Sequence, residues 1–144
     1  MLRLRRSDKI DLLKQVPLFS DLGRRYLNQI AKHSDDVSVK AGRILAREGT
    51  KGYEFFFIAE GEARVEKDEK IINRLSSGDF FGEISLIDKK PRTATVVAET
   101  DMILLVVHTK SFYHVLNTIP DLQHRVLLSL CKYIRRAEDA LKVL

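Results

Sequence analysis

Apolar residues recur at helical spacing near both ends of the chain and in short, turn-punctuated runs between them. Near the N-terminus, Ser7 can cap a short helix carrying Ile10, Leu12 and Leu13. Pro17 disfavours helix in the residue before it, so this helix should end near Val16. Ser20 or Asp21 can start a second helix, in which Leu22, Tyr26, Leu27 and Ile30 share one face. From residue 37 to 107 the period shortens. Val37 with Val39, then residues 44–46, 53–58, 63–65, 71–75, 80–81, 94–98 and 102–107, make eight candidate strands, and six of the seven glycines sit at their joints. Thr109 can cap a helix through Phe112, Val115 and Leu116, and Pro120 with Asp121 opens a longer one. Along it Leu127, Leu130, Ile134, Ala137, Leu141 and Leu144 keep 3-4-3-4-3 spacing, which suits a short coiled-coil seam and, equally, a helix packed along a barrel.

Many short strands with glycine corners predict a mainly β domain with flanking helices rather than a βαβ fold. The expected architecture is an eight-stranded antiparallel β-roll (a double-stranded jelly roll) over residues 35–108. N-terminal helices occupy 1–34, and helices over 109–144 include a long C-terminal lid. A length of 144 residues, 44% hydrophobic and 31% charged, suits one domain. The formal charge of +5 is unevenly placed: residues 1–47 hold 11 basic and 5 acidic residues, residues 48–144 hold 14 and 15. The near-neutral charge after residue 47 argues against a DNA-binding face there, and no nucleic-acid partner is expected for this chain alone. The single cysteine, Cys131, excludes an internal disulfide framework and multi-cysteine metal sites, and on an apolar helix it reads as a buried small hydrophobe. With no apolar run near the roughly 18 residues of a membrane span and no signal-peptide core, a cytoplasmic chain without a membrane span is expected. His33, His108, His114 and His124 form no ligand pair, so neither a metal nor another cofactor is expected.

The informative stretch is residues 80–97, FFGEISLIDKKPRTATVV, where the barrel pattern is interrupted. Gly82 frees the backbone, and residues 83–87 can form one helical turn whose unpaired N–H groups suit an anion. Arg92 follows a proline-stiffened loop; its guanidinium can fork onto two phosphate oxygens while the Glu83 carboxylate accepts from sugar hydroxyls. Such a pair fits a ligand that is anionic at one edge and hydroxylated at the other. Lys89 and Lys90 read as a solvated hairpin tip, and Arg3, Arg5 and Arg6 as a frayed basic terminus.

Here the sequence resembles the cyclic nucleotide-binding domain family of catabolite-activator-like regulators, cyclic-nucleotide-gated channels and kinase regulatory parts. Its phosphate-binding cassette, F-G-E followed by P-R-x-A-[ST]-V, is matched by Phe81-Gly82-Glu83-Ile84-Ser85-Leu86 and Pro91-Arg92-Thr93-Ala94-Thr95-Val96. Val16-Pro17-Leu18-Phe19, Glu48-Gly49 and Phe57-Ile58 with Gly61 extend the likeness. The resemblance implies a non-catalytic regulatory module for a cyclic purine mononucleotide, cAMP favoured and cGMP permitted by Thr93. It places Arg92 on the cyclic phosphate, Glu83 on the ribose 2′-hydroxyl, and Gly82, Ile84, Ser85, Thr93 and Ala94 around them. It also implies that the last helix closes over the purine, with Leu130, Ile134 and Ala137 as apolar candidates and Arg135 or Glu138 as polar ones. Positions that carry threonine and serine in catabolite activators fall at Ala137 and Glu138, which favours an arginine or purely apolar lid. The same helix suits a homodimer seam. The rival readings are a dimerising β-roll scaffold with a degenerate or different effector site, and a sensor fragment of a longer transcription regulator or channel.

Overall fold

The computed structural model describes residues 4–141; Leu2, Arg3 and Leu144 lie outside them. Helices α1 (Arg6–Leu13), α2 (Pro17–Ser20) and α3 (Arg24–Lys32) precede β1 (Ser34–Val39), β2 (Ile44–Ala46), β3 (Glu54–Glu60), β4 (Ala63–Lys67), β5 (Lys70–Leu75) and β6 (Phe80–Phe81). A single-turn α4 (Ser85–Asp88) leads to β7 (Thr95–Ala98) and β8 (Met102–His108), and α5 (Thr109–Thr118) and α6 (Leu122–Leu141) follow. The eight strands form two four-stranded antiparallel sheets, ordered β1-β8-β3-β6 and β2-β7-β4-β5, so the β-roll expected from the sequence is present.

The sheet of β3 and β8 is buried on both faces, which explains why these strands read as unbroken apolar runs. On one face Phe55 and Phe57 pair with Val107 and Leu105 and join the helices in one core. On the other, Phe56 and Ile58 pair with Val106 and Leu104 and meet Ala46, Ala63, Val96 and Ala98 inside the roll. Phe19 stands edge-on to Phe55 at 5.7 Å and 6.0 Å from Phe112, tying α2 and α5 to β3.

Several local expectations are corrected. Arg5, not Ser7, is the N-cap of α1, because the Asp8 carboxylate accepts the Arg5 N–H at 3.1 Å and starts the helix two residues earlier. That helix stops at Leu13; Pro17 opens a separate α2, where its missing N–H costs nothing. Ser20 and Asp21 end α2, and Gly23 caps α3. His108 is the N-cap of α5 and Thr109 its first residue. Among the described residues of α6, Leu122, Val126 and Ser129 are buried, set by packing on α2, whereas Leu127, Ile134 and Leu141 are 59%, 59% and 74% exposed. Cys131 shares that outward face and is exposed rather than buried.

Candidate ligand-binding site

Strand β6 pairs with β3 at only two positions, Phe56↔Phe81 and Phe57↔Phe80, before the chain leaves the sheet at Gly82. Gly82 has φ +87°, and a Cβ there would lie 2.7 Å from the Glu54 carbonyl oxygen, so only glycine fits. A turn at Glu83 and Ile84 then enters α4, which Lys89 closes in the left-handed region at φ 56°. The returning segment is clamped onto the loop before β3: the Arg92 N–H donates to Thr50 O at 2.7 Å, and its carbonyl accepts the Gly49 N–H at 2.9 Å.

These clamps deliver the Arg92 side chain into a slot, leaving the residue 9% exposed. Its Nη2 donates to the Glu54 carbonyl oxygen, the Glu54 carboxylate lies 3.7 Å away, and the guanidinium carbon is 6.0 Å from the Phe56 ring centroid. Burial pulls the guanidinium below its ordinary pKa, and the Glu54 carboxylate opposes that shift. Glycine on both sides makes the slot, since a Cβ at Gly52 would sit 2.5 Å from Arg92 Nε and one at Gly82 would strike Nη1. Gly52→Ala should therefore displace the guanidinium and weaken anion binding about tenfold, the worth of one charge-assisted hydrogen bond, while the protein stays folded. Ligand titration beside a thermal melt checks this, and unchanged affinity would contradict the slot.

Across the cassette, burial pushes the Glu83 carboxyl above the usual carboxylate range, while hydrogen bonds from its own N–H and that of Ile84 hold it part-way down. Gly82, Glu83, Ile84, Ser85, Arg92, Thr93 and Ala94 all line one cavity of about 480 Å³. Its remaining wall is largely apolar, from Ala46, Val65, Leu75, Phe81 and Val96, with Asp88 and Lys90 among the polar lining. Charge at one end and apolar surface along the rest suit an anion attached to a flat ring. None of Leu130, Ile134, Arg135, Ala137 and Glu138 lines this cavity. Leu130 packs toward the helical core and the other four are exposed. Lys132 Nζ, 2.5 Å from the Asp21 carboxylate, and Arg125, 5.4 Å over the Tyr26 ring, hold α6 against α2 and α3. Glu54, not singled out in the sequence, and Gly52, read there only as a glycine at a strand joint, support the arginine; the local sign of that role is no more than a glycine and an acid just ahead of an apolar run.

Residues 36–118 match the family model described as cyclic nucleotide-binding domain. The chain belongs to that family. It is 32% identical over 130 residues to a cGMP-dependent protein kinase of Drosophila melanogaster (isozyme 2, forms cD5/T2), a match covering 85% of this chain and 14% of that protein. It is 34% identical over 119 residues to a cAMP-dependent protein kinase regulatory subunit of Yarrowia lipolytica, covering 81% and 32%. The domain thus spans less than a third of each of these relatives. Among solved structures, the N-terminal domain of a transcriptional regulator from Streptomyces coelicolor superposes with a TM-score of 0.82 at 27% identity, covering 90% of this chain and 96% of that one. A cyclic nucleotide-binding domain is accordingly the function class, and among the described residues no helix is long and apolar enough to cross a membrane.

Proposed function

We propose that the 480 Å³ cavity binds a cyclic purine mononucleotide, cAMP ahead of cGMP, and that occupancy is transmitted by movement of the C-terminal helices. The observation that carries this reading is the buried Arg92. A guanidinium has five N–H donors, and among the described residues its only hydrogen-bonded nitrogen is Nη2, held by Glu54. The remaining donors suit the cyclic phosphate, the Glu83 carboxylate suits the ribose 2′-hydroxyl, and Gly82, Ile84, Ser85, Thr93 and Ala94 surround them. The apolar wall favours adenine, and the Thr93 hydroxyl permits guanine. The role is regulatory, with no chemistry on the ligand. Closure of α6 over the purine, by Leu130, Ile134 or Ala137 with Arg135 or Glu138, moves a helix whose first turns are anchored in the core by Leu122 and Val126, so ligand and helix contacts bias one equilibrium. The solvent-facing stripe of Leu127, Ile134 and Leu141 supports a homodimer seam on the same helix.

The role of Glu83 is tested by titrating cAMP and 2′-deoxy-cAMP into the wild type and Glu83→Gln. The deoxy analogue should bind the wild type about tenfold more weakly, and Glu83→Gln should shrink that difference. Equal affinity of the two nucleotides for the wild type would contradict the assignment. A raised carboxyl pKa means that the folded state holds its proton more tightly than the unfolded chain. The stability this contributes is present below the ordinary glutamate pKa and is lost as pH rises through the raised value. Ligand-free Glu83→Gln should therefore melt above the wild type at neutral pH while binding cAMP less well.

A further inference from the structure

Glu54 meets Arg92 twice, with opposite consequences. Its backbone carbonyl accepts from Nη2 and orients the guanidinium, while its carboxylate, 3.7 Å from the same nitrogen, offsets the charge that an anion would seek. Among the described residues this is the only ion pair that either side chain makes. The two partners are unequally buried, the Arg92 side chain 7% exposed and that of Glu54 36%. They also belong to different cavities. Arg92 lines the 480 Å³ cavity and Glu54 does not; Glu54 lines a separate cavity of about 270 Å³ with Val37, Arg43, Ile44 and Phe56. An anion entering the first cavity can therefore reach the guanidinium without taking the place of the carboxylate. Such an anion gains less beside a paired cation than beside a lone one, because the carboxylate repels it.

We propose that Glu54 is a positioning residue whose two polar groups act in opposition: its carbonyl holds Arg92 in the slot, and its carboxylate keeps the affinity for a cyclic phosphate below what the arginine alone would give. This rests on the cyclic nucleotide reading of the 480 Å³ cavity. The same carboxylate stabilises the ligand-free fold, because without it a buried guanidinium has no counter-charge. One acid thus sets the stability of the empty site against the tightness of the filled one, which suits a sensor that must release its ligand.

cAMP is titrated calorimetrically into the full chain as wild type, Glu54→Gln and Glu54→Asp, at low and high salt, with a thermal melt of each. Glu54→Gln keeps the backbone carbonyl and the side-chain shape and removes only the charge. It should bind cAMP about two- to fivefold more tightly than the wild type, the scale of a part-exposed ion pair, and melt lower when ligand-free. The gain should shrink as salt rises, since salt screens an exposed carboxylate. Glu54→Asp retains the charge on a shorter arm and should stay nearer the wild type. Equal or weaker binding by Glu54→Gln, a gain indifferent to salt, or Glu54→Asp binding as tightly as Glu54→Gln would each overturn the proposal and leave the cyclic nucleotide reading standing. Absence of cAMP binding by the wild type and both variants would overturn that reading, and the proposal with it.

Discussion

Arg92→Leu is expected to weaken cAMP binding about 30-fold or more, because truncating one partner of a buried, hydrogen-bonded charge pair costs about 2–5 kcal/mol. Leucine supplies neither charge nor donors, and it leaves the Glu54 carboxylate without its counter-ion in a partly buried position. Arg92→Lys separates the two contributions. It keeps the charge, but an ammonium cannot present a planar fork between Gly52 and Gly82, so an intermediate loss is expected. Calorimetric titration gives the affinities, and circular dichroism checks that each variant remains folded. A folded Arg92→Leu that binds as tightly as the wild type would remove the basis for placing the phosphate at this slot.

The largest effect on stability is expected at Phe55, where alanine should cost about 3–5 kcal/mol. Phe55 is fully buried on the helix-facing side of β3, 5.7 Å from Phe19 and 6.1 Å from Phe80, so its loss opens a void shared by α2, β6 and β8. Set against a typical total of about 5–15 kcal/mol, this is a drop in melting temperature on the order of 10 °C. The contrasting substitution is Ile71→Ala on the edge strand β5. That side chain is 49% exposed, and its loss should fall within about 0.5 kcal/mol. Comparable losses at the two positions in chemical denaturation would contradict the two-core architecture.

The strands were largely legible because most are short runs with apolar positions set between turn residues; β6 at Phe80–Phe81, between Gly78 and Gly82, is bounded to the residue, whereas β1 (SDDVSV) begins three residues before its first apolar position. Helix starts were less so. Ser7 and Thr109 are cap-type residues, but an acid at Asp8 and the strand running directly into α5 at His108 move the true caps to neighbours without cap chemistry. The face of α6 could not be chosen from periodicity, since its sequence carries two stripes: Leu122, Val126 and Ser129, and Leu127, Ile134 and Leu141. Packing on α2, a tertiary event, buries the first. The cassette was readable as a contiguous motif, and its residues meet around one cavity. The partner of Arg92 was not readable, because Glu54 lies 38 residues earlier and reaches the guanidinium only through the pairing of β3 with β6.

The central claim is that this cavity takes a cyclic purine mononucleotide. Calorimetric titration of the wild-type chain with cAMP, cGMP and linear 5′-AMP tests it most directly. The expected result is binding of both cyclic nucleotides at one site per chain, cAMP the tighter, with 5′-AMP clearly weaker because a singly charged, ring-closed phosphate fits one arginine. Absence of binding by either cyclic nucleotide, or preference for 5′-AMP, would contradict it.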